Sequence, residues 1–356
     1  MGTDDTSTKR NMTLQCPMPQ LDFDLITLAH GSGGQLTHNL LNSGVFALLK
    51  NDLLDQHHDG ATLQLTNPVA FTTDSFVITP IVFPGGTIGD LAVNGTLNDL
   101  AMCGARPRYL SLSFIIEEGL PMTEFWAILV SIKWACEAAG VSVVTGDTKV
   151  VEKGKGDKLF INTSGIGEVH PKAKIAPRYV APGDIVIVSG NVATHGMAIM
   201  SVREGLEFET QLQSDTCNLA PAVHTLLDAF GEGIHFLRDP TRGGVATVLN
   251  ELAKDSGLGI DLFQNAVPVA EEVEGACEML GLDPLYVANE GIFIAVVKAD
   301  IANAVLDILK TTDTGQRAAI IGSVTTNHPK QVILTSSIGG RRMLNMLTGE
   351  QLPRIC

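Results

Sequence analysis

The chain has 356 residues, 45 % of them hydrophobic, with 36 glycines and only 5 % aromatics, which is enough for two domains with their own cores and suits a compact α/β enzyme rich in tight turns. A formal net charge of −15 argues against a nucleic-acid partner or an anionic membrane surface, while polyphosphate remains open if metal ions neutralise both sides. Six scattered cysteines (Cys16, Cys103, Cys136, Cys217, Cys277 and Cys356) form no tight pair, which argues against a disulfide framework or a zinc site and leads us to expect a reducing, cytoplasmic setting.

No stretch is long and apolar enough to span a membrane, and residues 1–20 lack the apolar run of a secretory signal. We expect a disordered extension over 1–24. The apolar chain begins at Leu25 and leads to His30-Gly31-Ser32-Gly33-Gly34. Three glycines around a serine let backbone N–H groups converge on an anion, or simply make a flexible turn before a helix over 36–49. The loop is not a Walker A, since no Gly-Lys-Ser/Thr follows. His57-His58 reads as solvated loop, followed by Asp59.

A strand is expected over 69–78, interrupted by Asp74, because an aspartate inside an apolar strand is costly unless paired or metal-bound. Thr87-Ile88-Gly89-Asp90 has the pattern of a capping box, opening a helix that carries Asn94, Asn98 and Asp99. Cys103 reads as a small core thiol. A strand over 109–116 and a helix over 123–139 follow, with Cys136 on the apolar stripe and Gly140 as the stop. Strand 141–144 leads to Asp147 and Lys149, and a further strand spans 159–169. Asp59, Asp74, Asp99 and Asp147 are thus carboxylates at element ends of one domain. As a set they suggest an oxygen-ligand cage for Mg²⁺ on a nucleotide.

Residues 171–182 read as a connector between an N-terminal domain (25–170) and a C-terminal α+β domain (183–341). His195 reads as a structural turn histidine rather than a catalytic one. Arg238-Asp239-Pro240-Thr241-Arg242-Gly243-Gly244 packs three charges and two glycines into the mouth of a helix, with Thr241 as its expected N-cap. Such a helix start is an anion site in the making, and Asp239 could reach a metal. Glu290, next to Gly291 at the entrance of a strand, is a candidate base or an exposed charge. The stretch 342–356 reads as a mobile C-terminal tail, hinged at Gly339-Gly340 and stiffened by Pro353, that carries Cys356 as a travelling thiol.

Together, the motifs around His30–Gly34, Thr72–Ser75, Gly95–Asp99, Gly146–Lys149, Arg238–Gly244, Ala288–Gly291 and Pro353–Cys356 closely resemble the HypE family of hydrogenase maturation factors. The resemblance covers roughly residues 25–356, and its wider superfamily includes aminoimidazole ribonucleotide synthetase and selenophosphate synthetase. It implies a two-domain fold of α+β layers, a homodimer, and ATP with Mg²⁺ as cofactors. It also implies a reaction. A HypF-type carbamoyltransferase loads a carbamoyl group on Cys356. ATP then drives its dehydration to a thiocyanate, and a HypC–HypD complex accepts the cyanide for the iron of [NiFe]-hydrogenase.

By motif match, Asp74, Asp99, Asp147 and Asp239 are assigned to metal, with Asp59 the least clear ligand. The assignment gives His30–Gly34, Asn98 and Arg242-Gly243-Gly244 to the nucleotide. Glu290 is the base, and Lys149 stabilises charge on oxygen or phosphate. Arg354 or Lys149 offsets the terminal carboxylate beside the Cys356 thiol. Two alternatives remain at this stage: a superfamily enzyme acting on a small diffusible substrate, and a non-catalytic scaffold that docks by its tail.

Overall fold

The computed structural model describes residues 23–32, 35–56, 61–205 and 212–346. After α1 (Gln35–Leu40) and the wider helical turn Leu41–Phe46, the chain enters β1 (Val69–Phe76) and a small hairpin, β2 (Val82–Phe83) with β3 (Gly86–Thr87). Then come α2 (Ile88–Met102), β4 (Ala105–Glu117), α3 (Met122–Ala139), β5 (Ser142–Val151) and β6 (Leu159–Val169). Strands β1-β6-β4-β5 form one four-stranded sheet in that order. It is antiparallel except where β4 runs parallel to β5.

The second half holds β7 (Ile185–Val188), α4 (Thr194–Arg203), α5 (Ala220–Phe230), β8 (Ile234–Arg238), α6 (Gly244–Ser256) and β9 (Gly259–Phe263). These are followed by α7 (Glu271–Leu280), β10 (Ile294–Val297), α8 (Ala302–Lys310), β11 (Ala319–Thr325), β12 (Val332–Thr335) and β13 (Arg341–Met343). The strands make a seven-stranded sheet ordered β13-β12-β9-β11-β7-β10-β8.

Helix α2 joins the two halves. Its capping box forms as the sequence indicates: the Asp90 carboxylate accepts from the Thr87 N–H at 2.7 Å, and Thr87 Oγ1 accepts from the Gly89 N–H at 3.0 Å. Of its 15 residues only Asp90 and Asp99 are not buried, because the helix is covered on all sides. Its flank packs on the four-stranded sheet, while Ala101 and Met102 enter the second core with Leu226, Leu227 and Phe293. Asp90 is held by the cap. Asp99 faces a cleft.

Several expectations change in the structure. Asp147 lies inside β5 rather than at a strand end, because β5 runs on to Val151 in register with β4. Cys103 is exposed rather than core: it falls on the helix C-cap, past the last buried turn. His195 is fully buried inside α4, not in a turn, and its Nδ1 lies 2.7 Å from Ser214 Oγ. Thr241 does not cap α6. Gly243 does, at φ 72°, where a left-handed backbone favours glycine. The stretch expected as tail from 342 is docked further than that. Arg342 and Met343 belong to β13, the Leu344 side chain is buried, and the Asn345 carbonyl accepts from the Tyr286 hydroxyl at 2.8 Å.

Candidate active site

In β1 side chains alternate between faces, so Thr72, Asp74 and Phe76 turn toward α2 while Val69, Phe71, Thr73 and Ser75 are the more exposed set. Across that covered face Thr72 Oγ1 donates to Asp99 Oδ2 at 2.8 Å. Asp74 and Asp99 thereby open into a cavity of about 400 Å³, closed from the other half of the molecule by Arg238, Asp239, Thr241, Arg242, Glu251 and Glu290. Arg242 Nη2 stands 3.8 Å from Asp74 Oδ1, and Arg238 pairs with Glu251 at 3.2 Å. The cavity is polar, and two arginines line it among five acids.

The electrostatics follow from that crowding. Burial, then the neighbouring Asp99, push the Asp239 carboxyl up to about 7. Burial raises Asp74 and Asp99 as well, with the Ser75 N–H and the Thr72 hydroxyl opposing it respectively. Glu290 is raised well above the usual carboxylate range, by burial first and then by Asp239, Asp215, Asp74 and Asp99. Its Oε1 is buried with no hydrogen-bond partner. Burial and mutual repulsion thus disfavour the ionised form of these carboxyls, and a cation among them would favour it.

Among the described residues no three His, Cys, Asp or Glu side chains stand close enough together to hold a metal ion. Asp74, Asp99 and Asp239, lining one polar cleft, suit Mg²⁺, which takes one or two carboxylates and completes its shell with phosphate oxygens and water.

The structure brings Asp74, Asp99, Asp239, Arg242 and Glu290 together, and it leaves other expected site residues elsewhere. Asp147 and Lys149 form an ion pair at 3.3 Å on β5, at the far edge of the sheet from β1. Three strand steps separate those edges, about 14 Å at the usual spacing. They line a second, mainly apolar cavity of about 190 Å³ with Gly31, Thr37, Leu112 and Phe114. Register pairs Asp147 with Ser113, Ser113 with Asn162 and Asn162 with Ser75, so Asp147 lies on the open face, opposite Asp74.

Two residues assigned to the nucleotide have polar atoms engaged within the protein. His30 is buried, and its Nδ1 accepts from the Thr27 N–H at 3.0 Å. Burial lowers its pKa, which favours the neutral ring that accepts from Thr27. Asn98 is buried with its amide directed inward: Nδ2 donates to the Cys217 carbonyl at 3.0 Å and to the Glu290 carbonyl at 3.2 Å, while Oδ1 accepts from the Leu219 N–H at 2.8 Å. That amide holds the two halves together.

Gly31 seats its turn on β5, since a Cβ there would lie 2.5 Å from the Val150 nitrogen, and Ser32 Oγ donates to the Ala29 carbonyl at 3.1 Å. Gly244 likewise lets α6 meet the main chain at Leu285 and Val287. Gly33, Gly34, His57, His58, Asp59, Arg354 and Cys356 lie outside the described residues.

Sequence reasoning missed Thr72 as the partner of Asp99, although its two-residue spacing from Asp74 put both on one strand face. Glu251, which pairs with Arg238 in the cleft, carried no sequence signal.

Both halves of the chain match known families. Residues 57–169 match the AIR synthase related protein N-terminal domain, and residues 181–335 match the AIR synthase related protein C-terminal domain. The chain belongs to that class.

Carbamoyl dehydratase HypE of Azotobacter vinelandii is 48 % identical over 332 residues, covering 93 % of this chain and 97 % of that protein. A crystal structure of hydrogenase maturation protein HypE in complex with ATP superposes with a TM-score of 0.90 at 46 % identity, over 93 % of this chain and 99 % of that one. A HypE chain from a HypE–HypF complex superposes at 0.76 with 44 % identity, over 88 % of this chain and 100 % of that one. Within the class, the chain belongs to the carbamoyl dehydratase HypE family.

Proposed function

We propose that this protein is an ATP-dependent carbamoyl dehydratase that turns an S-carbamoyl group on Cys356 into a thiocyanate for hydrogenase maturation. One observation carries the chemistry: Glu290, buried and with a free carboxyl oxygen, faces a polar cleft shared with Asp74, Asp99, Asp239 and Arg242. The relatives described above support the reading: one is named for this activity, and another is crystallised with ATP.

The amide oxygen of a carbamoyl group is a poor leaving group. Transfer of the γ-phosphoryl of ATP to it makes phosphate the leaving group, and removal of protons from nitrogen completes the C≡N bond. Mg²⁺, when bound, supplies charge neutralisation on the triphosphate. Arg242 and the Gly243-Gly244 helix start orient phosphate oxygens. Asp74, Asp99 and Asp239 hold the cation side of the nucleotide. Glu290 takes the proton from nitrogen, a role for which a buried carboxyl with a raised pKa is suited.

We further propose a homodimer that closes the site. Val69, Phe71 and Ile115 are exposed apolar residues on the open face of the four-stranded sheet, a face that usually needs a cover. A two-fold pairing there brings the β5 edge, with Asp147 and Lys149, toward the partner's β1 edge. Lys149 and Asp147 would then complete the cleft of the other copy, with Lys149 on developing charge and Asp147 on the cation. Residues 171–182 act as the connector between domains.

A HypF-type carbamoyltransferase supplies the carbamoyl group, in keeping with the crystallised HypE–HypF complex, and a HypC–HypD complex accepts the cyanide. Intact mass after incubation with the carbamoyltransferase, carbamoyl phosphate and ATP, then with further Mg-ATP, tests the central step. A gain of about 43 Da on Cys356 that falls to about 25 Da is expected for carbamoyl then cyano chemistry on a thiol. No mass change in a folded, ATP-binding protein would remove the proposal.

A further inference from the structure

Asp215 is a second buried acid beside Glu290. It stands in the loop before α5, outside the lining of the cleft. Its Oδ1 accepts the Glu290 N–H at 3.2 Å, and its Oδ2 is buried with no hydrogen-bond partner. Six buried side-chain polar atoms among the described residues lack a partner, and Asp215 Oδ2, Thr216 Oγ1 and Glu290 Oε1 are three of them. Polar groups left this way cost stability, so their concentration at one spot points to function rather than packing.

The main chain around Glu290 is gripped from two sides. Asp215 holds its N–H, and Asn98, from the other half of the molecule, holds its carbonyl at 3.2 Å. The two backbones abut closely: a Cβ on Gly291 would lie 1.8 Å from the Asp215 carbonyl oxygen, so only glycine fits. The Asp215 loop is itself fixed from both halves. The Ser214 N–H donates to the Pro84 carbonyl at 2.8 Å, and Ser214 Oγ meets His195 Nδ1 at 2.7 Å.

We propose that Asp215 is a positioning residue for the dehydration: its carboxylate fixes the Glu290 peptide so that the Glu290 side chain reaches the nitrogen that loses its proton. This rests on the reading of Glu290 as the base. A proton acceptor must come within about 2.6–3.2 Å of the proton donor atom, and displacement by about 1 Å costs on the order of 10²-fold in rate. Asp215 does not touch the nucleotide region of the cleft, so its loss should act on turnover and not on ATP binding.

The experiment is turnover of the full chain, carbamoylated on Cys356, in the wild type and in Asp215→Ala, Asp215→Asn and Glu290→Gln, with KM for ATP and Tm measured alongside. Asp215→Ala is expected to lower kcat about 10²-fold with KM for ATP unchanged. Asp215→Asn keeps an oxygen that accepts the Glu290 N–H, and it should restore most of the rate. A wild-type kcat in Asp215→Ala overturns the proposal, as does equal impairment of Asp215→Ala and Asp215→Asn. If Asp215→Ala does not fold, Asp215→Ser, whose shorter side chain does not reach, takes its place under the same criteria. A fully active Glu290→Gln would instead sink the base assignment, whereas an inactive Glu290→Gln beside an active Asp215→Ala sinks only the role of Asp215.

Discussion

The Asn98 amide in α2 donates across the molecule to the carbonyl of Glu290, and the same nitrogen also reaches the Cys217 carbonyl. The helix that carries Asp99 is thereby tied to the peptide that carries the candidate base. One buried side chain thus links the acidic wall to the Glu290 peptide across the two halves.

Asn98→Ala would leave two carbonyls and the Leu219 N–H without their partner. Unpaired buried groups cost about 1–3 kcal/mol each, partly relieved by relaxation, so a loss of about 3 kcal/mol is expected. Urea unfolding measures it. A change below about 1 kcal/mol would mean the amide contributes no more than an ordinary hydrogen bond.

Arg242 should behave in the opposite way. Its side chain is 80 % exposed and its pairing with Asp74 is long, at 3.8 Å, and exposed pairs contribute about 0–1 kcal/mol. Arg242→Ala should therefore leave Tm almost unchanged. Its phosphate contact, as a charge-assisted hydrogen bond, is worth about 1.5–3 kcal/mol, which is roughly tenfold or more in affinity. Calorimetric titration with Mg-ATP reads this directly, and an unchanged Kd removes Arg242 from the nucleotide site.

Two glycines in helices should respond with opposite sign. Gly244 has φ +60°, and a Cβ there would lie 2.6 Å from the Leu285 oxygen and 2.7 Å from the Val287 oxygen. Gly244→Ala is expected to cost about 2 kcal/mol or more, from backbone strain and the clash. Gly275, in α7, meets nothing within 4 Å, so Gly275→Ala should stabilise by about 0.5–1 kcal/mol through helix propensity. Thermal melts of the two variants separate close approach from mere glycine content.

Asp215 also predicts a pH effect. Burial pushes its carboxyl from 3.8 to about 6. Over that interval the folded chain keeps a proton that the unfolded chain gives up, so this contribution to stability falls as pH rises from about 4 to about 6. Above that window the fold carries the full cost of the buried charge. Asp215→Asn cannot ionise, so its Tm relative to wild type should climb between pH 4 and 6 and then level off. The raised Glu290 and Asp239 give slopes of the same sign in both proteins, which makes the difference between the two curves the quantity to follow. A difference curve flat across that range would show that Asp215 is not held protonated.

Local signals in the chain determined a good part of this protein. The Thr87–Asp90 cap, the strand with Asp74 and the glycines at 243–244 were legible because caps, alternation and turns depend on neighbours within a few residues. The motif set also indicated the family, and with it ATP and the thiol of Cys356. Tertiary structure decided what the polar residues do.

His30 and Asn98 read as nucleotide ligands in a string of motifs, yet burial turned their polar atoms inward to Thr27, Cys217, Leu219 and Glu290. Asp147 read as one of four equivalent aspartates, yet sheet order placed it on the opposite edge and face from Asp74. Asp215 ended an acidic, polar run and acquired meaning only when the fold laid it against Glu290. In each case the deciding contact joins residues far apart in the chain, through strand order and packing that no local pattern encodes.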